Sequence, residues 1–316
     1  DKFANDVMMT GHSVTPARYH ALVTGEGILK TVFSAVKSAS SGRGLDRVFI
    51  TGVSPVVLSD ITSGYNVAEN IYLKPEFNRL CGFTEVELRA VLQSLETHPP
   101  LSPSRVEETL SLMRTFYNGY GFNRETFELV YNPTLALYFL EEYKKQGRAP
   151  RNLLDSNLAI DRDRLAYLAQ LSKDESLIMT ALQEDTPLRV SQLADRFSLK
   201  EMLKPDQDFT NVVSLLYYFG VLTLRDQTPH GQLVLQIPNL VIRQLYVELM
   251  REQLLPVSRD RRALQQVAEL LYQTGEFQPF ADFVEQHQLS LFDNRDAKTA
   301  NELVIKSVLA TLLFDN

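Results

Sequence analysis

The most apolar run in this 316-residue chain, residues 212–224, falls well short of the roughly 20 residues a membrane-spanning helix needs, and Ser214 and Gly220 interrupt it. No transmembrane helix is expected. The residues after this run narrow the fold further. Val221-Leu222-Thr223-Leu224, a polar turn through residues 226–232, and Leu233-Val234-Leu235-Gln236-Ile237 read as a hairpin entered from a helix over 208–219.

Upstream of it, helices are predicted near 165–171, over 176–183 and around 190–197. Helices followed by a hairpin are the order of a winged helix, a helix-turn-helix variant. In a DNA-binding member the third helix reads base edges, yet residues 211–219 contain no Lys or Arg. Phosphate positioning and guanine readout depend on those two residue types, so the segment is expected to pack or to contact protein. Total charge agrees. Lys plus Arg number 32 against 39 Asp plus Glu, a net charge of −7, whereas a general nucleic-acid coat needs a basic footprint. The run Arg259-Asp260-Arg261-Arg262 is short, contains an acid, and reads as a helix surface.

The N-terminal third has a different character. Leu22, Leu29, Val32, Phe33 and Val36 fall at helical spacing, and Ser40-Ser41-Gly42-Arg43-Gly44 ends that pattern. Residues 47–53, Arg-Val-Phe-Ile-Thr-Gly-Val before Pro55, read as a short buried strand, and a helix feeding such a strand points to a parallel α/β sheet. Asn70-Ile71-Tyr72-Leu73 is a second, shorter strand candidate. From Thr84 the pattern turns helical: Thr84 with Glu87 forms a capping box for a helix through Leu95, stopped by His98-Pro99-Pro100. Helices over 104–117 and 133–145 come next, with Asn118-Gly119-Tyr120-Gly121 as a turn between them. The polar, basic stretch 144–151 carries Gly147 and Pro150 and reads as a linker.

At 44% hydrophobic and 22% charged, the composition is that of a globular chain long enough for at least two domains. The boundaries expected are 1–80, 81–150, 151–255 and 256–316. No start Met and no charged n-region leading into an apolar h-region opens the chain, and an apolar helical pattern runs toward residue 316, so both ends are expected to be cuts. The single Cys81 excludes an internal disulfide, fits a reducing cytoplasmic setting, and is expected to pack in the core.

Chemistry-bearing motifs are sparse. Neither Gly-x-x-x-x-Gly-Lys-Ser/Thr nor Gly-x-Gly-x-x-Gly occurs, so the chain has no self-contained phosphate cradle of those types. Glu142-Tyr143-Lys144 matches the Glu-x-Lys half of a metal nuclease site, but beside Glu141 and Lys145 it reads as a solvated helix face. The five His residues, at 12, 20, 98, 230 and 287, have no metal-ligand spacing, so no metal site is expected.

An ordered series of compact strings stands out instead: Asp1-Lys2-Phe3-Ala4-Asn5, Gly25-Glu26-Gly27, residues 47–55, Ser63-Gly64-Tyr65-Asn66, residues 81–87, Phe116-Tyr117-Asn118-Gly119-Tyr120-Gly121-Phe122, Tyr131-Asn132-Pro133, and Ile237-Pro238-Asn239. In this order they resemble the AAA-ATPase-like proteins that carry a C-terminal PD-(D/E)XK nuclease-superfamily domain. The chain departs from the common pattern after Asn132-Pro133, where a Tyr-Trp string is usual and this Trp-free chain has Leu153-Leu154-Asp155-Ser156-Asn157.

The resemblance implies α/β plus mostly α architecture: a truncated P-loop ATPase-like parallel sheet, a helical lid, a winged helix and C-terminal helices entering the nuclease-like domain. The Walker A loop and the nuclease core would lie outside this chain. Asp1 would be the last acid of the Walker B string, and Thr51 a sensor residue at a strand end, both catalytic. Gly52, Asn118, Gly119 and Tyr120 would lie at the nucleotide. Thr51-Gly52 as a plain strand end, and Asn118-Gly119 as a turn with its aromatics in the lid core, remain open beside those roles. The function implied is an ATPase-like regulatory protein coupling nucleotide state to a nuclease-like module. ATP and Mg would belong to the parent protein, and this chain alone would be inactive and without cofactor. The alternative is a non-catalytic protein-interaction scaffold. A homo-oligomer or a protein partner is open, nucleic acid enters only through the nuclease-like part, and no membrane is expected.

Overall fold

The computed structural model describes residues 27–42, 44–52, 69–95, 101–123, 125–126, 128–153, 187–194, 208–245 and 258–291. Two compact units divide the chain, Asp1–Leu240 and Val241–Asn316.

In the first unit, α1 spans Ile28–Ser40 and is followed by residues 44–52. The expected strand at 47–53 is not formed over its described part: residues 47–52 pair with nothing in a sheet, and Val48 and Phe49 are 43% and 69% exposed. A parallel strand is buried only when neighbours flank it on both edges, and the described residues supply none. Both sheets that they form are antiparallel. Residues 70–73 are likewise a turn, which leads into a 3₁₀ turn at Pro75–Phe77.

The helical segment matches its local signals closely. α2 (Glu85–Ser94) starts at the Thr84 capping box, in which the Thr84 side chain accepts from the Glu87 amide and the Glu87 carboxylate accepts from the Thr84 amide. α3 (Pro103–Tyr117) and α4 (Pro133–Gln146) each start with Pro at the first turn, after Ser102 and Asn132, whose side chains accept from the amides of Arg105 and Leu135. α4 ends at Gly147, whose φ of 64° suits a residue without Cβ. Leu88, Leu92, Leu110, Met113, Leu135 and Phe139 close the core between these helices. Tyr117 meets Phe139 edge-on at 5.8 Å, and Phe139 stacks on Tyr143 at 5.8 Å.

Two bonds tie the chain after α4 to α3: Arg105 donates to the Gly147 carbonyl (3.2 Å), within the stretch read as a linker, and Tyr117 donates its hydroxyl to the Leu153 carbonyl (3.1 Å), just beyond it. Between α3 and α4 the turn carries a two-stranded ladder, β1 (Tyr120–Gly121) with β2 (Leu129–Val130). Cys81 is exposed rather than packed in the core. Its neighbour Gly82 is the residue pressed inward, where a Cβ would lie 2.7 Å from that of Val130.

A second sheet orders its strands β3-β5-β4, from β3 (Leu188–Val190), β4 (Thr223–Gln227) and β5 (Leu233–Gln236). The hairpin expected over 221–237 is therefore present. The helix expected around 190–197 is not formed over its described part: Val190 ends β3, paired with Leu233, and residues 191–194 are non-helical. The alternation that buries Leu188 and Val190 and exposes Arg189 is the period of a strand. α5 (Phe209–Tyr218) precedes the hairpin, and every residue from Val212 to Tyr217 along it is buried, Ser214 included. Ser214 is accommodated because its hydroxyl accepts from the Ala194 amide at 2.8 Å. The helices expected at 165–171 and 176–183 lie outside the described residues.

In the second unit α6 (Ser258–Thr274) and α7 (Gln278–Leu291) pack together across a turn at Gly275, with Leu264, Ala268, Phe280 and Phe283 buried. Arg262 is exposed on α6, as a helix-surface residue would be.

Phe139→Ala is expected to cost about 3–5 kcal/mol, and Thr84→Ala about 0.5–2 kcal/mol. Urea unfolding followed by circular dichroism measures both, and a Thr84→Ala cost equal to that of Phe139→Ala would contradict the ranking.

Candidate functional site

Asp1 lies outside the described residues. Thr51 and Gly52 are exposed at the end of the unpaired 44–52 segment, which brings neither of them into the group formed by the other candidates. Asn118, Gly119 and Tyr120 lie together, but what they meet is the far end of the same compact unit.

The junction starts from the backbone. α3 is capped by Asn118, whose side chain accepts from the Gly119 amide at 2.8 Å. Gly119 then takes φ 113°, a conformation that side chains rarely adopt. A Cβ there would sit on the Pro238 carbonyl, 2.8 Å from its carbon and closer still to its oxygen. Asn239 locks the approach by donating its amide to the Asn118 carbonyl at 2.9 Å. Tyr120 is 7% exposed, and burial raises its hydroxyl pKa against the opposing hydrogen bonds of Asn239 and Asn132. It therefore stays a neutral phenol.

The next residue has both sides of its backbone engaged. Gly121 donates its amide to the Thr223 hydroxyl at 2.7 Å and accepts at its carbonyl from the Tyr217 hydroxyl at 3.2 Å, both in buried surroundings. A Cβ on Gly121 would come 2.5 Å from the Leu224 carbonyl oxygen. Asn78, 2% exposed, extends the contact by accepting from the Phe122 amide (3.0 Å) and donating to the Glu128 carbonyl (3.1 Å). The Phe122 ring lies 6.3 Å from that of Tyr217. Asn118, Gly119 and Tyr120 of one string thus meet Pro238-Asn239, part of another string singled out in the sequence.

A charged cluster holds the other side of the helical segment. Arg114 grips Glu85 through two bonds, 2.9 and 2.8 Å, and the buried Tyr131 donates its hydroxyl to the same carboxylate at 3.1 Å. Arg89 joins Glu85 at 3.4 Å and also bonds Glu107. Burial works to raise the Glu85 pKa, but the hydrogen bonds from Arg114 and Tyr131 and the charges of Arg114 and Arg89 hold it below the ordinary carboxylate value. Burial, then the Glu85 charge, pushes the Tyr131 hydroxyl upward, so it stays a donor. Every charge here has a partner within the cluster, which suits holding α2, α3 and Tyr131 together.

On α4, Lys145 pairs with Glu141 (2.9 Å) and Glu142 (3.2 Å) while Tyr143 is buried, the arrangement of a solvated helix face beside a core position. Among the described residues no group of three His, Cys, Asp or Glu could hold a metal ion. No described helix is long and apolar enough to cross a membrane. Comparison of the chain with protein-family models, curated proteins and solved structures returned no match.

Sequence reasoning missed Thr223, Tyr217 and Asn78. Their only local signal is a hydroxyl or amide inside an otherwise apolar stretch or turn.

Gly119→Ala is expected to destabilise markedly more than Gly147→Ala, where positive φ alone applies, nothing lies within 4 Å of the new Cβ, and the cost is about 1–2 kcal/mol. Equal losses in urea unfolding would contradict the close approach to Pro238. Because the folded pKa of Glu85 is depressed, its contribution is present above the unfolded value and lost as pH falls through the folded one. Glu85→Gln is therefore expected to lessen the loss of stability below about pH 4, read from unfolding midpoints between neutral and acid pH. An unchanged acid limb would contradict that role.

Proposed function

We propose that this chain is the lid and transmission part of an ATPase-like regulatory protein that couples nucleotide state to a nuclease-like module. In it, residues 118–121 serve as a structural junction rather than as nucleotide ligands. The observation that supports the reading is the meeting of Asn118-Gly119-Tyr120 with Pro238-Asn239. Two strings on which the resemblance rests form one packed contact, which a chance collection of strings has no reason to do. The β3-β5-β4 order, with α5 ahead of the β4–β5 hairpin, supports a winged helix. Its candidate reading helix carries no Lys or Arg over 209–218 and is buried along most of its length, which favours packing over DNA binding.

The described residues do not fit a triphosphate. Thr51 and Gly52 are exposed, and the Asn118 and Tyr120 side chains are engaged within the protein. No step is therefore routed through ATP or Mg in this chain. Both belong, on this reading, to a longer cytoplasmic parent in which Asp1 and Thr51 face the nucleotide. On this reading the contact expected is a protein partner or a second copy, and nucleic acid enters only through the nuclease-like part. The second reading, a non-catalytic interaction scaffold, is favoured by the same engagement of Asn118 and Tyr120.

Titration calorimetry with ATP and Mg tests the proposal. The 316-residue chain is expected to give no binding heat and the full-length parent a saturable one. Saturable binding by the chain that is lost in Tyr120→Ala would overturn the junction reading, and a parent that does not bind would leave the scaffold.

A further inference from the structure

We infer that the N–H and C=O of Gly121 form a clasp inside one cooperative unit, in which the helical segment and the three-stranded sheet open and close together. The Gly121 amide ends on Thr223 and its carbonyl on Tyr217, so both polar backbone groups of this one residue depend on side chains about a hundred residues away. Thr223 is 1% exposed and Tyr217 4%, so water does not readily replace either partner. A buried peptide group that loses its partner carries the full desolvation penalty. Glycine at 121 is what allows the approach, because a side chain would collide with the Leu224 carbonyl.

The clasp also sits where a displacement would otherwise be absorbed. Residues 118–119 join α3 to β1, and a loop between a helix and a strand is the usual place for a hinge. Here Asn239 and Pro238 meet that joint, and Thr223, Tyr217 and Asn78 hold Gly121 and Phe122 directly after it. A movement delivered to α3 or α4 is passed to β4 and β5 rather than lost in the loop. What that movement serves rests on the function proposed above. The joint opening does not, so the failure of one is distinguishable from the failure of the other.

Amide hydrogen exchange on the full chain tests the clasp, because sub-global opening reports which segments unfold together. Thr223→Val keeps the shape and removes the acceptor. It is expected to raise exchange on the order of tenfold, and to similar extents, in α3, α4, α5 and β5. Tyr217→Phe, which keeps the ring in the core, is expected to do the same and serves where Thr223→Val does not fold. Glu141→Gln, which removes only an exposed ion pair on α4, is expected to leave exchange unchanged. A rise confined to residues 119–123, a rise in the helices without the sheet, no rise, or an equal rise in Glu141→Gln would each overturn the inference. If ATP calorimetry fails while the joint rise is seen, the nucleotide reading falls and the clasp stands.

Discussion

Backbone N–H and C=O groups taken out of water must each find a partner, and at Gly121 neither partner comes from the neighbouring chain. They come from Thr223 and Tyr217, 102 and 96 residues away in sequence. The surrounding contacts obey that constraint. Gly119 must take a positive φ to bring the strand in, Pro238 must leave room for it, and Asn239 must close over the Asn118 carbonyl. Tyr120, Tyr217 and Phe122 fill the space around this polar seam, so that hydrogen bonding and apolar packing hold the same surfaces together.

Legibility in the sequence tracks the range of the interactions. The Thr84–Glu87 capping box and the Ser102-Pro103 and Asn132-Pro133 starts are local chemistry, and the helices begin there. The hairpin is equally plain, since a polar turn separates two apolar runs. β3 is not, because three residues show little period and Leu188–Val190 becomes a strand only by pairing with β5. Residues 47–52 fail in the opposite sense. Their composition suits a buried strand, but no partner strand lies beside them among the described residues.

The site divides in the same way. Asn118-Gly119 is readable as a turn from residue type alone, and the aromatics beside it as core. That Thr223 and Tyr217 complete it is not readable, because an isolated hydroxyl in a strand or an apolar helix looks like any other. Glu85 looks like a helix-start acid, and its link to Tyr131 and Arg114 depends on where α3 and β2 lie. These contacts engage, inside the protein, a string of glycines and asparagines that the resemblance places at the nucleotide. The proposed function rests on that engagement: residues that hold two segments together are suited to passing on a movement.

The most direct measurement of the central claim is a through-space nuclear Overhauser contact, on selectively labelled protein, between the Gly119 α-protons and the Pro238 α-proton. The close approach at this joint expects a clear cross-peak, present together with the cross-strand peaks of β4 and β5. Cross-strand peaks at full strength with no Gly119–Pro238 contact would show the sheet formed and the joint open, and would contradict the account.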